Sequence, residues 1–248
     1  MRVAVAIAAL VLSLLGAEAA EAARPAPLQL KETCITRAER AGIVRFTAVD
    51  RVRLIGVVFG RGPNAVVLAH QGGGAALCSW VTYARSLARA GYRVLAFDHR
   101  GYGSSSKPSR PERLFRIDAD VAAAVAYLRK RGAARVVVGG ASLGGAAVVK
   151  AAAWIRPAVQ GVFTLGAPQA FGSIDALAAA RTLEVPALFT AAVDDDPFAD
   201  DARALHDACA SADKRLEIFP GYRHGAPTLR DPQAKALVDS WIAAHVRP

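Results

Sequence analysis

A run of β-branched residues, Val136-Val137-Val138, leads straight into Gly139-Gly140-Ala141-Ser142-Leu143-Gly144-Gly145. Gly140, Ser142 and Gly144 occupy the fixed positions of a G-x-S-x-G pattern, and an Ala/Val-rich stretch with helical character follows at once. Such a pattern closes a strand-to-helix turn so tight that the residue at its apex is held in a strained backbone conformation. Side chains at the flanking positions would collide with the neighbouring strand and helix, hence the glycines. The turn lifts the Ser142 hydroxyl clear of the sheet as a nucleophile. It also aims the next backbone N–H, that of Leu143, at the point where an oxyanion would form. The same pattern occurs in ordinary strand-to-helix turns, so a base, an acid and a second oxyanion donor elsewhere in the chain must decide its meaning.

The elements that would position this serine alternate along the chain. Strand-like runs fall at Ile43–Val49 and Val52–Phe59, divided by a hairpin turn at Asp50-Arg51, and then at Ala65–Ala69, Arg93–Phe97, Val162–Leu165, Ala187–Ala192 and Leu216–Phe219. Helical spacing covers Trp80 to Ala90, Ile117 to Lys130, Ile174–Ala180, Asp200 to Cys209 and Gln233 to His245, with Gly91 and Gly132 closing the first two. Strands alternating with helices imply a mostly parallel sheet covered on both faces, with ligands bound at the carboxyl ends of the strands. His70, Ser142, the run Asp194-Asp195-Asp196 and His224 all fall at or just beyond such strand ends. There is no internal repeat and no linker that marks a second domain.

The chain has 248 residues, 53% of them hydrophobic, enough for one large α/β domain. Met1-Arg2 reads as a positive n-region, Val3 to Leu15 as an uncharged apolar h-region, and Ala17-Glu18-Ala19 and Ala20-Glu21-Ala22 as cleavage candidates. Residues 1–22 are therefore expected to be an export signal, residues 23–42 a lead-in segment, and 43–248 the folded domain. A membrane anchor is the alternative, but the apolar run is shorter than the roughly 20 residues that span a bilayer. The expected location is accordingly periplasmic or secreted. Cys34, Cys78 and Cys209 suit an oxidising compartment with one bridge, expected between Cys34 and Cys78, and one thiol left over; three unpaired buried thiols are the alternative. The net charge is +10, but the arginines are spread without a long basic run and aromatics are only 7%, so specific nucleic-acid binding is not expected. No closely spaced cysteine pair or histidine cluster suggests a metal, and no cofactor is implied.

Four matches in order make the chain resemble the α/β-hydrolases over residues 43–247. These are His70-Gln71-Gly72-Gly73, then Asp98-x-Arg100-Gly101-x-Gly103-x-Ser105, then the serine turn, then Gly221-x-x-His224-Gly225. The resemblance implies an eight-stranded, mostly parallel sheet and a Ser-His-Asp triad in the order Ser142, aspartate, His224. His224 would be the general base, an imidazole suited to moving a proton near neutral pH. The acid would lie in the aspartate run, with Asp196, which precedes Pro197, ranked above Asp195, and Asp175 as a remote choice. The oxyanion hole would pair the Leu143 N–H with one from Gly72 or Gln71. Gln71 here replaces the first glycine of the commoner His-Gly-x-Gly form, and its side chain is a candidate substrate contact. His70 would support that loop, and Asp98 to Ser105 would brace the sheet end. Only Pro168 to Glu184 fill the place where many relatives carry a large cap. The resemblance thus points to a capless exported serine hydrolase acting on small carboxylic esters. A peptidase or amidase with the same triad, or an inactive envelope-associated binding protein, are the other readings.

Overall fold

A computed structural model describes residues 29–247. The export signal expected at residues 1–22 lies outside the described residues, as do residues 23–28 of the lead-in. The strands are β1 (Ile43–Thr47), β2 (Arg53–Phe59), β3 (Asn64–Ala69), β4 (Arg93–Phe97), β5 (Arg135–Ala141), β6 (Gly161–Leu165), β7 (Ala170–Phe171), β8 (Ile174–Asp175), β9 (Ala187–Ala192) and β10 (Lys214–Phe219). The helices are α1 (Val81–Arg89), α2 (Ile117–Lys130), α3 (Leu143–Trp154), α4 (Ala176–Ala180), α5 (Phe198–Ala208) and α6 (Pro232–His245).

Eight strands form one sheet in the order β1-β2-β4-β3-β5-β6-β9-β10. The β1/β2 and β2/β4 pairs are antiparallel and the rest parallel. The central strands are buried on both faces, which is why their sequences are continuous apolar runs rather than alternating ones. In β3, Ala65, Val67 and Ala69 enter the core under α2 and α3, while Val66 and Leu68 enter the core under α1 and α6. In β5, Val136 and Val138 face the first of these cores and Val137 the second. Between β6 and β9, residues 166–186 hold only the small β7–β8 pair and α4, so no large cap covers the sheet end.

Burial of a polar brace fixes the loop after β4. Asp98 accepts hydrogen bonds from the Leu77 N–H (3.0 Å) and the Ser104 N–H (2.8 Å), and Ser105 Oγ donates to the Asp98 carbonyl (2.6 Å). Arg100, fully buried, binds Asp120 and Asp50 at 2.7 and 2.6 Å. These contacts give the segment Asp98 to Ser105 the bracing role expected from its sequence. The lead-in is tied to the same loop: Ser104 Oγ donates to Glu32 (2.8 Å), and Cys34 is bridged to Cys78. Cys209 is free and buried. Protein prepared under oxidising conditions should therefore show one titratable thiol, exposed only on denaturation without reductant. Three thiols in that assay would exclude the bridge. The closed loop spans 44 positions, for which loop entropy gives about 4 kcal/mol of stabilisation, measurable as the loss on Cys34→Ser in urea unfolding.

Candidate active site

Ser142 stands between the end of β5 and the start of α3 with φ 50° and ψ −125°, one of three non-glycine residues at positive φ among the described residues. The turn is as tight as the sequence requires. A Cβ at Gly140 would lie 2.2 Å from the Gly144 carbonyl oxygen, and one at Gly144 would lie 2.4 Å from that of Ala69. The Ser142 N–H donates to the Leu165 carbonyl at 3.0 Å, which locks the apex to β6. Leu143, as the first helical residue, has an N–H that no carbonyl of the preceding turn can take.

His224 lies on the loop after β10 and donates from Nδ1 to Asp195 Oδ2 at 2.8 Å. Asp195 is only 8% exposed, and burial pushes its carboxyl above the ordinary range while the His224 contact opposes that rise. No other group among the described residues bonds to His224 Nε2, so that nitrogen is open to a hydroxyl. The ring lies against Phe198, with centroids 4.1 Å apart. Gly166, the residue after Leu165, lies close to both partners: a Cβ there would be 3.0 Å from His224 Nδ1 and 3.1 Å from Asp195 Oδ2. Thus the backbone that receives the Ser142 N–H runs directly into the floor of the His224–Asp195 pair.

The ranking of Asp196 over Asp195 is corrected by this geometry. The chain turns immediately after β9, with the Asp195 N–H bonded to the Ala192 carbonyl and the Phe198 N–H to the Asp195 carbonyl. That turn directs Asp195 inward and leaves Asp194 and Asp196 exposed. The proline after Asp196 marks the entry to α5, not the site. Asp175 caps α4, accepting from the Ala178 N–H at 2.8 Å.

The loop after β3 comes to the same place. Gly72 packs beside Leu143, since a Cβ there would be 3.2 Å from its Cδ2, and the N–H groups of Gln71 and Gly72 donate to no protein acceptor among the described residues. The Gln71 side chain reaches the loop that carries His224. Its Oε1 accepts from the Ala226 N–H at 2.8 Å, two residues beyond His224. His70 is buried and accepts at Nε2 from the His99 N–H (3.1 Å), so its proton sits on Nδ1 and is donated to the Gln71 carbonyl (2.6 Å). Burial holds His70 down to about 4, keeping it neutral in this bracing role. Phe198, Gly166 and His99 carry no motif. Only their position beside a strand end or an aspartate could have drawn attention to them.

A model of the alpha/beta hydrolase fold matches residues 64–241, most of the chain. The chain belongs to the alpha/beta hydrolase family. A 117-residue segment is 38% identical to bifunctional epoxide hydrolase 2 of Sus scrofa, covering 47% of this chain and 20% of that protein. A 79-residue segment is 43% identical to epoxide hydrolase B of Mycobacterium tuberculosis, covering 32% of this chain and 22% of that one. The matches thus span about a fifth of these relatives' length. Among solved structures, the Pyrococcus furiosus esterase Pf2001 superposes with a TM-score of 0.70 at 15% identity, over 90% of this chain and 99% of that one. The esterase RhEst1 from a Rhodococcus species does so at 0.65 and 20% identity, over 82% and 99%. At these identities the likeness establishes the shared fold.

The Gln71 contact yields a direct expectation. Gln71→Ala would leave the Ala226 N–H unpaired and should lower stability by about 1–2 kcal/mol in urea unfolding. Gln71→Glu keeps an acceptor at that position and should lose less. Equal losses in both variants would show that packing, not the hydrogen bond, holds the two loops together.

Proposed function

We propose that this chain is an exported serine hydrolase that cleaves small carboxylic esters through an acyl-enzyme. The observation that carries the reading is the Asp195–His224 hydrogen bond, which lies against Gly166, the residue after the Leu165 carbonyl that anchors a serine held at φ 50° on the G-x-S-x-G turn. In this reading His224 Nε2 takes the Ser142 proton as Oγ attacks the ester carbonyl. The Leu143 N–H and that of Gly72 or Gln71 stabilise the resulting oxyanion. Asp195 fixes the ring through Nδ1 and stabilises the imidazolium. His224 then protonates the leaving alkoxide, and a water activated by the same nitrogen releases the acid. The capless sheet end supports accessible acyl substrates rather than deeply enclosed ones. Export rests on the pattern of residues 1–22.

The sequence relatives are named as epoxide hydrolases, and the residue at the turn argues against that reaction here. A serine that opened an epoxide would form an ether, and water does not cleave an ether by an acyl-transfer route. A serine is suited to an acyl group, whose ester linkage to the enzyme can be hydrolysed. An amide substrate uses the same machinery, and a series of p-nitrophenyl esters and aminoacyl anilides separates the two activities.

A fluorophosphonate probe should label Ser142, and Ser142→Ala should abolish both labelling and ester hydrolysis, with kcat falling by roughly 10³ to 10⁶. A Ser142→Ala variant keeping a tenth of the activity would overturn the assignment, and an unlabelled wild-type protein would support the binding-protein reading.

The acid is tested by isosteric changes. Asp195→Asn should reduce kcat by up to about 10⁴, because the amide favours the wrong imidazole tautomer. Asp196→Asn and Asp194→Asn, at exposed positions, should cost less than about tenfold. A larger loss at Asp196 than at Asp195 would reverse the assignment.

A further inference from the structure

At the end of the sheet remote from Ser142, where β2 finishes and β4 begins, lies a groove of about 830 Å³. Its walls carry Arg61, Arg85, Arg89, Arg93 and Arg131 against a single carboxylate, Glu39. Glu39 is already engaged: Arg85 grips it with Nε and Nη2 at 2.7 Å each, and its Oε2 also accepts from the Thr36 N–H at 2.7 Å. Arg93 donates to the Arg131 carbonyl, and Arg131 lies over the Tyr127 ring at 5.1 Å. Arg61 and Arg89 are exposed and have no partner among the described residues. Arg61 is held at the groove by a turn that only glycine can close. Gly60 has φ 68°, and a Cβ there would sit 2.2 Å from the Tyr92 carbonyl oxygen.

Four guanidinium groups without a carboxylate thus face one concavity, a repulsive arrangement that a bound anion would relieve. Guanidinium forks match phosphate oxygens in pairs, with direction as well as charge. The groove also has an apolar lining, from Val44, Val58, Phe59 and Leu128. Its volume lies in the range that takes small organic ligands. We propose that this groove is a binding site for a phosphate monoester bearing a compact apolar group, separate from the catalytic cleft.

The test uses the full chain, with phenyl phosphate as soluble probe and phosphatidate-containing phosphatidylcholine vesicles as the lipid form of the same group. Phenyl phosphate should bind by calorimetry, and Arg61→Gln/Arg89→Gln should weaken it about tenfold or more, since two charge-assisted contacts are removed. Arg181→Gln/Arg230→Gln removes the same charge from exposed positions outside the groove and should leave binding unchanged. Co-sedimentation with phosphatidate vesicles that is lost only in the groove variant would assign the lipid headgroup as the source. Soluble binding without co-sedimentation would assign a free ester. No phenyl phosphate binding, or equal weakening in both double variants, would overturn the proposal. Vesicle binding alone would also overturn it, because surface adsorption needs no groove. Ester hydrolysis at Ser142 is not required for any of these readouts.

Discussion

The turn at Ser142 is the constraint on which the other elements depend. A non-glycine residue at φ 50° costs about 1–3 kcal/mol and persists only where its surroundings over-determine it. Here they do. The Ser142 N–H is taken by Leu165, its carbonyl accepts from the Ala146 N–H at 3.1 Å, and Gly144 is pressed against the end of β3. β5 lies between β3 and β6, and α3 packs over it, so any relaxation of the apex must move three strands and a helix. The strain is held by burial of apolar surface on both faces of the sheet, which is why the residues around Ser142 are Gly, Ala, Val and Leu and little else.

A second layer of contacts makes the surrounding loops equally rigid, and it is polar. His70 links β3 to the loop after β4 by accepting from His99. It then presents its own proton to Gln71, whose side chain holds the loop that carries His224. Each link is buried or half-buried, where an unpaired group would be expensive, so the network is stable only when complete. The loops that bring Leu143, Gly72 and His224 together are therefore fixed before any ligand arrives. The arrangement fits electrostatic stabilisation by preset dipoles rather than closure around a substrate.

Most of this was legible from local sequence. The β-branched runs located the strands, α2 and β9 have the bounds that periodicity gave, and the strand ends carried Ser142 and His224. The aspartate was not legible. Three consecutive carboxylates are chemically equivalent in sequence, and the proline after Asp196 favours that residue, whereas the one bonded to His224 is Asp195. What separates them is a single hydrogen-bonded turn from Ala192 to Phe198, which buries the middle residue, and that turn depends on where α5 packs. Gln71 was located as a departure from the usual loop, yet its partner, 155 positions away, could only come from the fold. The β7–β8 pair was also missed, because two-residue strands have no periodicity to read.

The two ends of the sheet differ in charge for reasons that begin with helix direction. α3 starts at Ser142, so its positive end faces the site where an oxyanion would develop. α1 and α2 finish at the opposite end, where their exposed carbonyls favour cations, and Arg89 and Arg131 stand at or just past their last turns. That dipole effect is worth about 0.3–1 kcal/mol per exposed cation and accounts for those two residues without any ligand. It does not account for Arg61, on the loop after β2, whereas Arg93, at the start of β4, is held by the Arg131 carbonyl just past the end of α2. Arg61 belongs to no helix and adds positive charge to a groove that already has an excess. Helix geometry thus explains why arginines can gather at this end, while their number and the lack of a second carboxylate point to an anion that the fold itself does not supply.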